Sequence, residues 1–66
     1  MVSNRLKEIR ESRLISKAEL ARKAGISTLT IARIEQGEPC RQETKRKILA
    51  ALGISTFDRE KVFPEN

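Results

Sequence analysis

Gly25 is the position around which this chain has to be arranged. It stands between Ser16–Ala24 and Ser27–Gln36, two stretches whose apolar residues recur at helical spacing. Ser16 is followed three residues later by Glu19, a capping-box pattern that starts a helix at Lys17. Leu20, Ala21 and Ala24 form its inward face. Gly25 ends it, because glycine readily takes the left-handed conformation needed just past a helix end. Ser27 opens the next helix, Ile31 and Ile34 point inward, and Gly37 stops it near Gln36. Two helices joined by so short a turn cross steeply. Their backbones approach closely, which calls for small residues, and Ala21 and Ala24 supply them. Ile26 plugs the gap beneath the turn. The spacing therefore predicts a helix-turn-helix unit, Lys17 to Gln36.

The flanks add further helices. Val2, Leu6 and Ile9 recur at intervals of four and three, predicting a first helix over about 4–12, with Ser3 or Asn4 as its cap. Leu14 and Ile15 form an apolar link. Glu38-Pro39-Cys40-Arg41 reads as a loop. A fourth helix is expected over about 42–52, with Ile48, Leu49 and Leu52 inward and Gly53 closing it. Ser55 with Asp58 suggests a short fifth helix at 56–62 that buries Phe57. Pro64-Glu65-Asn66 is expected to fray. The fold expected is all-α, a compact bundle of four to five helices forming a single domain, 1–66.

Sixty-six residues build only a marginal core, so dimerisation is a natural support. The charge is uneven. Residues 1–53 carry 12 basic and 6 acidic side chains, whereas 54–66 are slightly acidic. A basic body attracts polyanions, and duplex DNA is the densest common one; the other reading is a solvated surface. His, Tyr and Trp are absent, and the three glycines are too far apart for a phosphate loop. No Cys/His cluster suits zinc. The chain is therefore read as no enzyme, with no metal and no cofactor. One cysteine, no apolar leader and no membrane-length run point to a soluble cytoplasmic protein.

The run SKAELARKAGISTLTIARIEQG, Ser16 to Gly37, resembles the Cro/repressor-type helix-turn-helix domains of lambdoid phages and bacterial regulators. The family's small and apolar positions fall on Leu20, Ala21, Ala24, Gly25, Ile26, Ile31 and Ile34. ILAALGIS, Ile48 to Ser55, resembles its fourth helix and following turn. The resemblance implies a lambda-repressor-like fold and a small DNA-binding transcriptional regulator, expected to be a repressor. Partners implied are double-stranded DNA with a pseudo-palindromic operator and a second copy of the chain. Leu14 departs from the family, which usually has glycine there. Either the first helix ends differently, or Leu14 adopts a left-handed turn at about 1–2 kcal/mol.

In such domains the second helix of the unit enters the major groove. With Ile31 and Ile34 inward, a 100° step puts Leu29, Ala32, Arg33 and Gln36 outward and Thr28 and Thr30 on the flanks, with Ser27 at the start. Ser27, Thr28, Leu29, Ala32, Arg33 and Gln36 are the candidate base readers. Arg33 suits guanine, Leu29 a thymine methyl, and Thr28 either kind of contact. Phosphate contact or plain solvation is the alternative for Arg33, and chance exposure for Leu29. Lys17, Thr30, Arg41, Thr44 and Lys45 are candidate phosphate contacts. Arg46 and Lys47 read as solvated charges. The resemblance further implies a buried ion pair between Arg10 and Glu35. Val62 and Phe63 read either as dimer-interface residues or as core. Cys40 reads either as a redox-sensitive thiol with its pKa lowered by Arg41 or as a small loop residue. Two other functions compete: an antitoxin or other protein-binding module on the same fold, and a DNA-bending accessory protein.

Overall fold

In the computed structural model, which describes residues 4–64, the elements follow in the order α1 (Leu6–Ser12), α2 (Lys17–Ala24), α3 (Thr28–Glu35), α4 (Gln42–Leu52) and a 3₁₀ segment (Thr56–Lys61). The expected all-α architecture is observed. Val2 and Ser3, invoked for the first helix and its cap, lie outside the described residues, as do Glu65 and Asn66. α2 packs against both α3 and α4, while α1 lies on α3 and the 3₁₀ segment on α4. Leu6, Leu20, Ile31, Ile34, Ile48 and Val62 are fully enclosed where these elements meet. Each buries enough apolar surface to contribute about 1.5–3 kcal/mol.

Helix boundaries follow from local hydrogen bonding. α1 begins at Leu6, later than expected, because the Asn4 carboxamide takes over its first backbone group. Asn4 Oδ1 accepts from the Leu6 amide at 3.0 Å, and its Nδ2 donates to the Ile34 carbonyl at 2.7 Å. Ser16 Oγ accepts from the Glu19 amide at 3.0 Å and starts α2. Gly25, at φ 72°, then turns the chain so that the Ile26 amide reaches back to the Ala21 carbonyl at 3.0 Å. That bond closes α2 and lays Ile26 against the core.

Leu14 makes the same kind of stop without being glycine. Its φ is 56°, and the Ile15 amide donates to the Arg10 carbonyl at 3.2 Å. The left-handed alternative is thus the one observed. Leu14 is 92% exposed, so only Ile15 of the expected apolar link packs on the core.

The chain end corrects another expectation. Phe57 is 94% exposed, while Val62 and Phe63 are buried. The last segment is 3₁₀ and kinked at Asp58, not a regular α-helix. Its far end is pinned where the Arg5 amide donates to the Val62 carbonyl at 2.8 Å. This seats Val62 and Phe63 in the space assigned to Phe57, and Lys45 Nζ lies 5.6 Å from the centre of the Phe63 ring. Val62 and Phe63 are core residues and present no interface.

Candidate nucleic-acid interface

α3 divides sharply into two faces. Ile31, Ile34 and Glu35 are buried, whereas Thr28, Leu29, Arg33 and Gln36 are exposed. Leu29 is a large apolar side chain left 58% in solvent. Ala32, expected on the open face, is half-buried, since its outward direction is only a small step from the packed side. The helix starts on Ser27, whose Oγ accepts from the Thr30 amide at 3.1 Å. The Ser27 and Thr30 hydroxyls lie 2.7 Å apart and share one hydrogen bond. Whichever donates within the pair, the other retains a hydrogen for an outside acceptor.

Beside this face runs a groove of about 350 Å³ between α3 and the start of α4. Thr30 and Arg33 line it from one side, Arg41 and Thr44 from the other, with Cys40 between them. Four residues from separate parts of the sequence are thereby gathered into one open, polar channel. Glu38 is the carboxylate on its wall. Burial pushes the Cys40 thiol above its ordinary 9.0, outweighing the opposite pull of Lys45. A thiol held in that form is not the activated thiolate considered from the sequence.

Two other expected contacts lie apart from the channel. Lys17 is exposed at the first position of α2. Lys45 turns toward Phe63 and lines a different groove, against the 3₁₀ segment.

The orientation of α3 is fixed from below. Arg10 Nε donates to Glu35 Oε2 at 2.6 Å and Nη2 to Oε1 at 3.2 Å, while Nη1 reaches the Ile15 carbonyl at 2.8 Å. Both side chains are buried. The hydrogen-bonded carboxylate holds the guanidinium above its ordinary range despite burial, which acts the other way. Asn4 adds a second tie to the same end of α3. Sequence reading gave Asn4 only a capping role, because nothing in a linear pattern shows that α1 begins beside the end of α3.

A helix-turn-helix family profile matches residues 6–58, most of the chain and all four α-helices. Comparisons with curated proteins and with solved structures give no significant match. No helix among the described residues is long and apolar enough to cross a membrane. The crossed α2–α3 pair around Gly25, the open face of α3 and the matched profile together identify the chain as a member of the Cro/repressor-type helix-turn-helix family, a family of DNA-binding domains.

Proposed function

We propose that this chain is a sequence-specific transcriptional regulator, a repressor acting in the cytoplasm as a homodimer on a pseudo-palindromic operator. One observation carries the reading: the outward face of α3 is left uncovered while its inward face is held by Ile31, Ile34 and the Arg10–Glu35 pair. A helix so held is suited to entry into the major groove, its first residues toward the bases.

The side chains divide by chemistry. Arg33 offers a guanidinium fork to guanine O6 and N7, worth about 1–3 kcal/mol of discrimination. Leu29 packs on a thymine methyl, and Thr28 supplies a hydroxyl or a methyl. Gln36 reads from the far end of the helix, and half-buried Ala32 lets the backbone sit close. Ser27 and Thr30 place their spare hydroxyl hydrogen on an acceptor at the groove edge. Arg41 and Thr44 hold the phosphate strand beside α3, and Lys17 holds the strand beside α2. Dimerisation joins two such weak half-site contacts into one binding event.

Fluorescence anisotropy against random duplexes, followed by selection of preferred sites, tests this reading. Low-salt binding that resolves into a two-fold-related consensus is expected. Absence of duplex binding at low salt overturns it.

A further inference from the structure

A second groove of about 370 Å³ opens on a neighbouring face of the α4 N-terminal half, against the 3₁₀ segment. Gln42, Lys45, Arg46, Thr56 and Arg59 form its walls, and Leu49 lies at its base. Among the described residues three cations line it and no carboxylate does. Glu43 on α4 pairs with Lys47 at 3.8 Å, and Asp58 on the 3₁₀ segment with Lys61 at 3.8 Å. Arg59 donates one bond to the Thr56 carbonyl at 3.1 Å, leaving most of its five donors for other acceptors. Lys45 is positioned by the Phe63 ring. The cations are thus concentrated and partly pre-oriented, unlike charges scattered over a solvated face.

We infer that this groove binds a phosphodiester of the DNA backbone, with Arg46 and Arg59 as its principal ligands. The inference rests on the regulator reading above. The first turns of α4 separate this groove from the Thr30–Arg33–Arg41–Thr44 channel. An α-helix is about 10–12 Å across with its side chains. A DNA strand winds around its axis as it rises about 3.4 Å per nucleotide, so successive phosphates lie farther apart along the strand than that rise, and a strand crossing the start of α4 can set two different phosphates into the two grooves. The start of α4 then lies between two held phosphates. Arginine suits such a site because its planar fork matches phosphate geometry. The linear sequence does not show this, because Arg46 and Arg59 meet only when the 3₁₀ segment folds back onto α4.

The test is a salt titration of binding to the selected duplex and to a random one. Arg46→Ala and Arg59→Ala are each expected to weaken both duplexes alike. Each lowers the slope of log affinity against log salt by about one unit, and the double variant by about two. Arg46→Lys retains most of the slope. Arg22→Ala, an exposed charge on α2 away from both grooves, leaves it unchanged. All three positions are exposed, and circular dichroism confirms that the variants fold. An unchanged slope in the double variant, with binding intact, overturns the groove assignment alone. An equal loss in Arg22→Ala overturns it too, as a general charge effect. A change in the sedimentation of the free protein, with no change in slope, assigns the groove to another copy's carboxylates and overturns it. Failure of the unaltered protein to bind any duplex removes the regulator reading and the groove assignment with it.

Discussion

Arg10 and Glu35 meet in a two-point hydrogen bond beneath the end of α3, 2.6 Å and 3.2 Å long, with both residues under a tenth exposed. The pair joins α1 to α3. Attraction between two buried charges is largely offset by their desolvation, so its contribution shows when one partner is removed. Glu35→Ala leaves a buried guanidinium without its carboxylate and is expected to cost about 3–5 kcal/mol, measured by urea unfolding. Arg10→Met combined with Glu35→Leu is expected to recover most of that loss. For pH, the Arg10 pKa is raised in the folded state, so its stabilisation is full below the ordinary guanidinium range and is lost only in strong alkali, as pH rises through the folded value. Its contribution is therefore constant across neutral pH.

Leu14 holds φ 56° with its side chain in solvent. Leu14→Gly removes a conformational cost of about 1–2 kcal/mol and loses little burial. Glycine's greater unfolded-state entropy returns part of the gain. The net expectation is stabilisation by about 0.5–1 kcal/mol, seen as a rise of a few degrees in Tm. A lower Tm would show that the leucine makes contacts worth more than its backbone strain.

The two phenylalanines are predicted to respond oppositely. Phe57→Ala removes a side chain that touches almost nothing and changes unfolding free energy by less than about 0.5 kcal/mol. Phe63→Ala opens a cavity under the last segment and costs about 3–5 kcal/mol. A chain this small has little more than that in total, so Phe63→Ala should lose its cooperative thermal transition.

On DNA, Arg33→Ala is expected to relax base preference at one position in each half-site, by about 1–3 kcal/mol. Lys17→Ala should weaken every sequence alike and flatten the salt slope by about one unit. If Arg33→Ala also weakens all sequences equally, Arg33 contacts phosphate.

Cys40 is expected to react with iodoacetamide at neutral pH more slowly than a cysteine in a short peptide, because burial favours its protonated form. A raised acid pKa stabilises the fold below the unfolded value and loses that contribution as pH climbs through the folded one. Stability should therefore decline above about pH 9, and Cys40→Ser should show less of this decline. DNA affinity should not depend on reducing agent.

The helix-turn-helix was legible because its signals are local. Ser16, Gly25 and Ser27 act within a few residues of where they stand, and α2 runs over the expected residues. The outward set on α3 followed from helical period alone, and Ala32 fell between faces because a 100° step resolves direction poorly at the margin. The chain end was misread for a different reason. Phe63 and not Phe57 is the buried aromatic residue, and the bond between Arg5 and Val62 holds the chain end beside it. No periodicity within 54–63 contains that information. Likewise, the channel joining Arg33 to Arg41 and Thr44 depends on how the Glu38–Cys40 loop folds back, which spacing does not encode.

The Arg5–Val62 bond brings the two ends of the described chain side by side. Among the described residues the chain path is close to a ring, and a tether of a few residues between Arg5 and Val62 spans the gap. Circularised through such a tether, the chain keeps each helix in place while its unfolded ensemble loses freedom. It should therefore melt at a higher temperature with its reading surface intact.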